Sequence, residues 1–194
     1  MTDLLDSTLA LLEGAGITLS CDIERDDVED ALVDDLPAFR AHPITTMATL
    51  RDPDEALMFT RVWCDTGVVP RVSLRALRDC AAELCRAAGT ELTEFVALPD
   101  TDTTGSVRLR VGDWDVADVD YDLAQAPELD LIAAVVPAGV TAITVEHDDL
   151  DAHSVTLFAS SGPGGDALAE AVEREVSSGP RFPLNPDAPN MREV

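Results

Sequence analysis

The stretch Ser106–Asp122, Ser-Val-Arg-Leu-Arg-Val-Gly-Asp-Trp-Asp-Val-Ala-Asp-Val-Asp-Tyr-Asp, constrains this chain more than any other. Val107, Leu109 and Val111 alternate with Ser106, Arg108 and Arg110, the period of two expected of a strand with one wet face. Gly112-Asp113 is a two-residue Gly-X turn of the kind that closes a hairpin. Closure there sets Val111 against Trp114, Arg110 against Asp115 and Leu109 against Val116, so apolar meets apolar and plus meets minus. Past Val116 the alternation slips by one residue. Val119 and Tyr121 then take the inward side, which predicts a bulge near Ala117.

Helical and extended patterns interleave around this hairpin. A helix over 3–13 places Leu4, Leu5, Leu9 and Leu12 on one stripe and ends at Gly14. Glu24 to Leu36 reads as an acidic helix along Val28, Ala31, Leu32 and Leu36, stopped by Pro37. Residues 38–54 carry no assignable pattern, and Ala56 to Cys64 reads as extended. Ser73 is a cap for a helix over 74–88 whose buried line is Leu74, Leu77, Ala81, Leu84, Cys85 and Ala88. Strands follow at 90–98, 140–146 and 154–159, the last two paired. A helix at 128–136 should bury Leu129, Ile132, Ala133 and Val136, with Pro127 in its first turn. Asp166 should cap a last helix reaching about 177. The class expected is α+β: a mainly antiparallel sheet with the hairpin of about 106–121 at its centre and about five helices packed on it. One domain over 1–178 is expected, followed by an irregular tail at 179–194, where Gly, Pro and Asn dominate.

The charge balance excludes several functions. Net charge is −25, with 38 acidic residues against 13 basic ones, and every basic residue is Arg. Without Lys there is no Schiff-base nucleophile, no phosphate-loop lysine and no kinase-type lysine. Nucleic-acid binding is disfavoured, because no excess of cations is present to displace counterions. The longest apolar runs fall short of the roughly 18 residues of a membrane span. The first residues, Met-Thr-Asp-Leu-Leu-Asp, are acidic where a secretory signal would be basic, so a cytoplasmic location is expected.

Candidate chemistry is sparse. Asp113, Asp115, Asp118, Asp120 and Asp122 suggest a calcium loop, but from Asp118 the sixth position is Leu123 and the twelfth Leu129, where Gly and Glu are needed. Asp100 to Gly105 has the Gly without the terminal Glu. Cys21, Cys64, Cys80 and Cys85 lack zinc or redox spacing and read as small buried hydrophobes. Cys80 and Cys85 lie about 140° apart on a helix and diverge. Gly162–Gly165 opens a helix, but Asp166 stands where a bound phosphate would go. No cofactor or metal is expected. The least implausible nucleophile is Cys64 with an imidazole, His147 before His42 or His153.

Two segments carry a resemblance. One is Val62-Trp63-Cys64-Asp65-Thr66-Gly67 leading into the helix at 74–88. The other is Leu109 to Val136, a hairpin with an aromatic after its turn, an acidic stretch and an Asp-Leu-Ile helix. Val140 to Phe158 would supply a terminal hairpin. Over about half the chain this resembles small acidic bacterial proteins of immunity or uncharacterised type associated with polymorphic toxins, although Gly67 stands where that pattern has an acid. The resemblance implies a compact, non-catalytic protein that binds another protein, most specifically an immunity protein whose carboxylates neutralise a basic toxin domain. The expected contact residues are Asp26, Asp27, Asp30, Asp34, Asp115, Asp118 and Asp120, with Trp114 and Tyr121 as anchors if exposed. The alternatives are a thiol or hydrolase-type enzyme using Cys64, and a housekeeping domain whose acidity reflects GC-rich coding or salt adaptation.

Overall fold

Ser154–Ser160 shows no polar alternation, and residues 154 to 159 are all buried. A strand of that kind must be covered on both faces, and its coverings organise the molecule. The structure is a computed structural model that describes residues 2–65, 73–123, 128–146 and 154–178. Among these residues it is an α+β protein with seven helices and two three-stranded antiparallel sheets.

The helices are α1 (Thr2–Gly14), α2 (Arg25–Ala31), α3 (Leu36–Ala41), α4 (Pro43–Thr49), α5 (Leu74–Ala87), α6 (Glu128–Val135) and α7 (Pro163–Ser178). The strands are β1 (Val62–Asp65), β2 (Leu92–Pro99), β3 (Thr104–Val111), β4 (Trp114–Asp122), β5 (Val140–Glu146) and β6 (Ser154–Ser160). β6 lies between β1 and β5. Val155, Leu157 and Ala159 join the core formed with α1 to α4 and α7, whereas Phe158 and Trp63 belong to a second core with α5, α6 and the sheet β2-β3-β4. Helices, sheet, helices and sheet thus stack as four layers. α5 lies between two sheets, which is why Cys80 and Cys85 diverge and yet are both buried.

The hairpin forms in the register its side chains dictate. Val111 faces Trp114, Arg110 faces Asp115 and Leu109 faces Val116, and the pairing then shifts so that Val107 faces Val119. Two β4 residues, Ala117 and Asp118, there oppose Arg108 alone, which is the bulge expected near Ala117. Gly112 supplies the positive φ, 56°, that the turn requires. α5 begins on its cap, the Ser73 hydroxyl accepting from the Ala76 N–H at 3.2 Å.

Several expectations are corrected. The hairpin is not the centre of one sheet: it belongs to the outer sheet, and β5-β6-β1 is separate. Among the described residues five helices become seven, because 24–36 is not one helix and the unassigned stretch 38–54 holds most of α3 and all of α4. α2 ends at Ala31, and Pro37 stands in the first turn of α3, where its missing N–H costs no intrahelical bond. α6 buries Leu131, Ile132 and Val135 and leaves Ala133 exposed. Cys21 is exposed and Cys64 half-buried, so only Cys80 and Cys85 are core residues. Asp166 lies within α7, which starts at Pro163. There Gly164 lets the helix approach the chain at Gly14, where a Cβ would fall 1.9 Å from the Gly14 carbonyl oxygen. Leu129 as a buried position, Pro127 and the tail at 179–194 lie outside what the structure describes.

Candidate functional site

The segment from Asp22 to Asp35 holds eight carboxylates (Asp22, Glu24, Asp26, Asp27, Glu29, Asp30, Asp34 and Asp35) and one cation, Arg25. Val28 and Leu32, both fully buried, pin it to the first core. Its start is a capping box: Glu24 accepts from the backbone of Asp27, and the Asp27 carboxylate accepts from the Glu24 N–H at 2.7 Å. Asp27 therefore also holds the helix. Arg25 is occupied, reaching Asp6 of α1 at 2.9 Å and Glu29 at 2.9 Å. The Asp26 side chain is 92% exposed. Asp30 and Asp34 are also exposed, with no cation within 4.0 Å among the described residues. Between them Val33 stands 56% exposed. Four expected contact residues (Asp26, Asp27, Asp30 and Asp34) thus lie on α2 and the turn after it.

The other three lie on β4 in the outer sheet and are not brought to α2. Their surroundings also differ. Asp118 takes a two-point contact from Arg108 at 3.0 and 3.2 Å; Asp115 is the backbone partner of Arg110, whose side chain reaches Glu94 at 3.7 Å. Asp120 is exposed opposite Ser106. This sheet face carries interleaved charges of both signs, whereas α2 and the turn after it carry carboxylates around a single cation, Arg25, which Asp6 and Glu29 already hold. Of the two candidate anchors, Tyr121 is buried and Trp114 is 37% exposed at the hairpin tip.

Cys64 lies on β1 at the wall of an open cleft of about 560 Å³ between β1, the segment 51–61 and the last turn of α5. Its thiol points to the Ala48 carbonyl at 3.9 Å. Burial pushes the thiol up to about 11, against a smaller downward pull from the Arg51 charge. An attacking thiol needs the opposite shift. His147 and His153 lie outside the described residues, and His42 sits at the junction of α3 and α4. Among the described residues no group of three or more His, Cys, Asp or Glu is placed to hold a metal ion. The cleft also gathers Arg51, Arg61 and Arg86, which sequence reasoning missed because they are spread over three unrelated elements without a motif.

Comparison with protein-family models, with curated proteins and with solved structures finds no match to this chain. No helix of the described residues is long and apolar enough to cross a membrane.

Proposed function

We propose that this chain is a protein-binding protein that meets a cationic partner through the carboxylates of α2 and the turn after it. In its most specific form it is a cytoplasmic immunity protein that covers a basic toxin domain. The observation that carries the reading is the carboxylate excess of Asp26, Asp30 and Asp34 around the exposed Val33, on a segment anchored by Val28 and Leu32. Its one cation, Arg25, is taken up by Asp6 and Glu29. An anionic rim speeds encounter with a basic surface, and a small apolar centre gives a place where contact can be desolvated. The resemblance noted in the sequence points the same way. Since Asp118 is already engaged by Arg108 of its own sheet, the primary contact is assigned to α2 and not to the hairpin.

The test compares the wild-type chain with a variant carrying Asp26→Asn, Asp30→Asn and Asp34→Asn, each immobilised and exposed to native lysate at low salt. A basic protein held by the wild type, lost by the variant and released as salt rises is the expected result. Retention of the same proteins by both forms would overturn the reading.

A further inference from the structure

We infer that the cleft beside β1 is a binding site for a small organic oxyanion, a molecule that bears a phosphate or carboxylate group on an apolar body. The inference is independent of the acidic face on α2.

The first ground is local charge. This chain carries 38 acids against 13 Arg, so a guanidinium meets a carboxylate easily. Arg25, Arg75, Arg108 and Arg110 all do. Arg51, Arg61 and Arg86 line one cleft, and among the described residues no carboxylate lies within 4.0 Å of any of them. Glu83 shares the wall and leaves the lining with a surplus of two positive charges, three Arg against one Glu. A cationic recess on so anionic a molecule focuses field lines where an oxyanion can enter.

The second ground is that two of these Arg are held by the fold. Arg61 has φ 56°, a backbone region uncommon for a residue with a Cβ. Its carbonyl accepts from the Phe158 N–H at 2.9 Å, and its Nη1 donates to the Ser160 hydroxyl at 3.2 Å. Arg51 donates from Nη1 to the Glu55 carbonyl at 2.6 Å, and Glu55 also has a positive φ, 65°. A guanidinium has five N–H donors, so both retain donors after these contacts. Arg86 reaches the same space from the last turn of α5. Guanidinium forks of this kind suit phosphate and carboxylate alike.

The third ground is size and lining. About 560 Å³ falls in the range of small-molecule sites, and a free phosphate ion would fill only a small part of it. The remaining wall includes Ala56, Leu57 and Ala87, with only the edges of the buried Phe59, Val62 and Trp63, apolar surface for a small organic body.

Calorimetry at constant ionic strength with phenyl phosphate, benzoate and inorganic phosphate tests the inference on the full chain. Saturable binding of phenyl phosphate or benzoate is expected, and the tighter of the two identifies the head group. Arg51→Gln and Arg86→Gln, at exposed positions that leave β1 intact, should each weaken it about tenfold, as loss of a charge-assisted hydrogen bond does. Arg75→Gln, on the outer face of α5, should leave it unchanged. No saturable binding of either organic probe, or binding that both Gln variants leave untouched, would overturn the inference. Equal affinity for inorganic phosphate would overturn the organic body.

Discussion

At Cys64, burial and charge compete, and burial prevails. The thiol is pushed up to about 11, so at pH 8 only about 0.1% of it is thiolate, against about a quarter for an ordinary cysteine near 8.5. Alkylation by iodoacetamide at pH 8 should therefore be roughly two-hundredfold slower at Cys64 than at an ordinary exposed thiol, and its rate should climb about tenfold per pH unit until the pH nears that value. The sign for stability follows. A folded-state value above the unfolded one means the native chain keeps a proton that the unfolded chain releases, so this contribution is present at neutral pH and lost as pH rises from about 9 through 11. Peptide-resolved mass spectrometry of a labelling time course reads the rates, with Cys21 as the exposed comparison. Equal rates at Cys21 and Cys64 at pH 8 would mean that burial does not suppress the thiol. A faster rate at Cys64 would mean an activated thiol and revive the enzyme alternative. None of this was readable from the four Cys positions, because the environment of Cys64 is made by Arg51 and Ala48, neither of them its neighbour in sequence.

Among the elements, α4 depends on α7 for its start. Pro43 has no N–H, and the His42 side chain does not cap the helix, so the Ile44 and Thr45 N–H groups need acceptors. The buried carboxylate of Glu175 accepts both at 2.9 Å and the Thr45 hydroxyl at 2.5 Å. A carboxylate at a helix N-terminus also meets the positive end of the helix dipole. Glu175→Ala strands those donors in the core and should cost about 2–4 kcal/mol, with Glu175→Gln intermediate. Urea unfolding with an unchanged slope would show it, and a shift below about 0.5 kcal/mol would discount the cap. Local elements were legible where their signals are local. α5 declares itself through Ser73 and its apolar stripe, and the hairpin through Gly112 and strict alternation. α3 and α4 were not, because helices of six and seven residues have too few turns to display a period, and the cap of α4 comes from a residue more than a hundred positions away.

For the molecule as a whole, a net charge of −25 opposes compaction. Raising sodium chloride from about 10 to 500 mM shortens the screening length severalfold. It should raise stability by about 1–2 kcal/mol, or roughly 2–8 °C in Tm for a chain of this size. A scanning fluorimetry series in chloride checks this; a flat response would mean that contacts such as Arg108–Asp118 and Arg25–Asp6 already offset the repulsion.

The sequence by itself determined the α+β class, the register and bulge of the hairpin, the capped helix after Ser73 and the overall sign of the surface, because each depends on residues close along the chain. Only the tertiary structure decided that the strands divide into two sheets with α5 between them. It also separated the carboxylates of α2 from those of β4 and drew Arg51, Arg61 and Arg86 around one cleft. Those outcomes depend on which distant segments bury one another, and spacing along the chain carries no record of that choice.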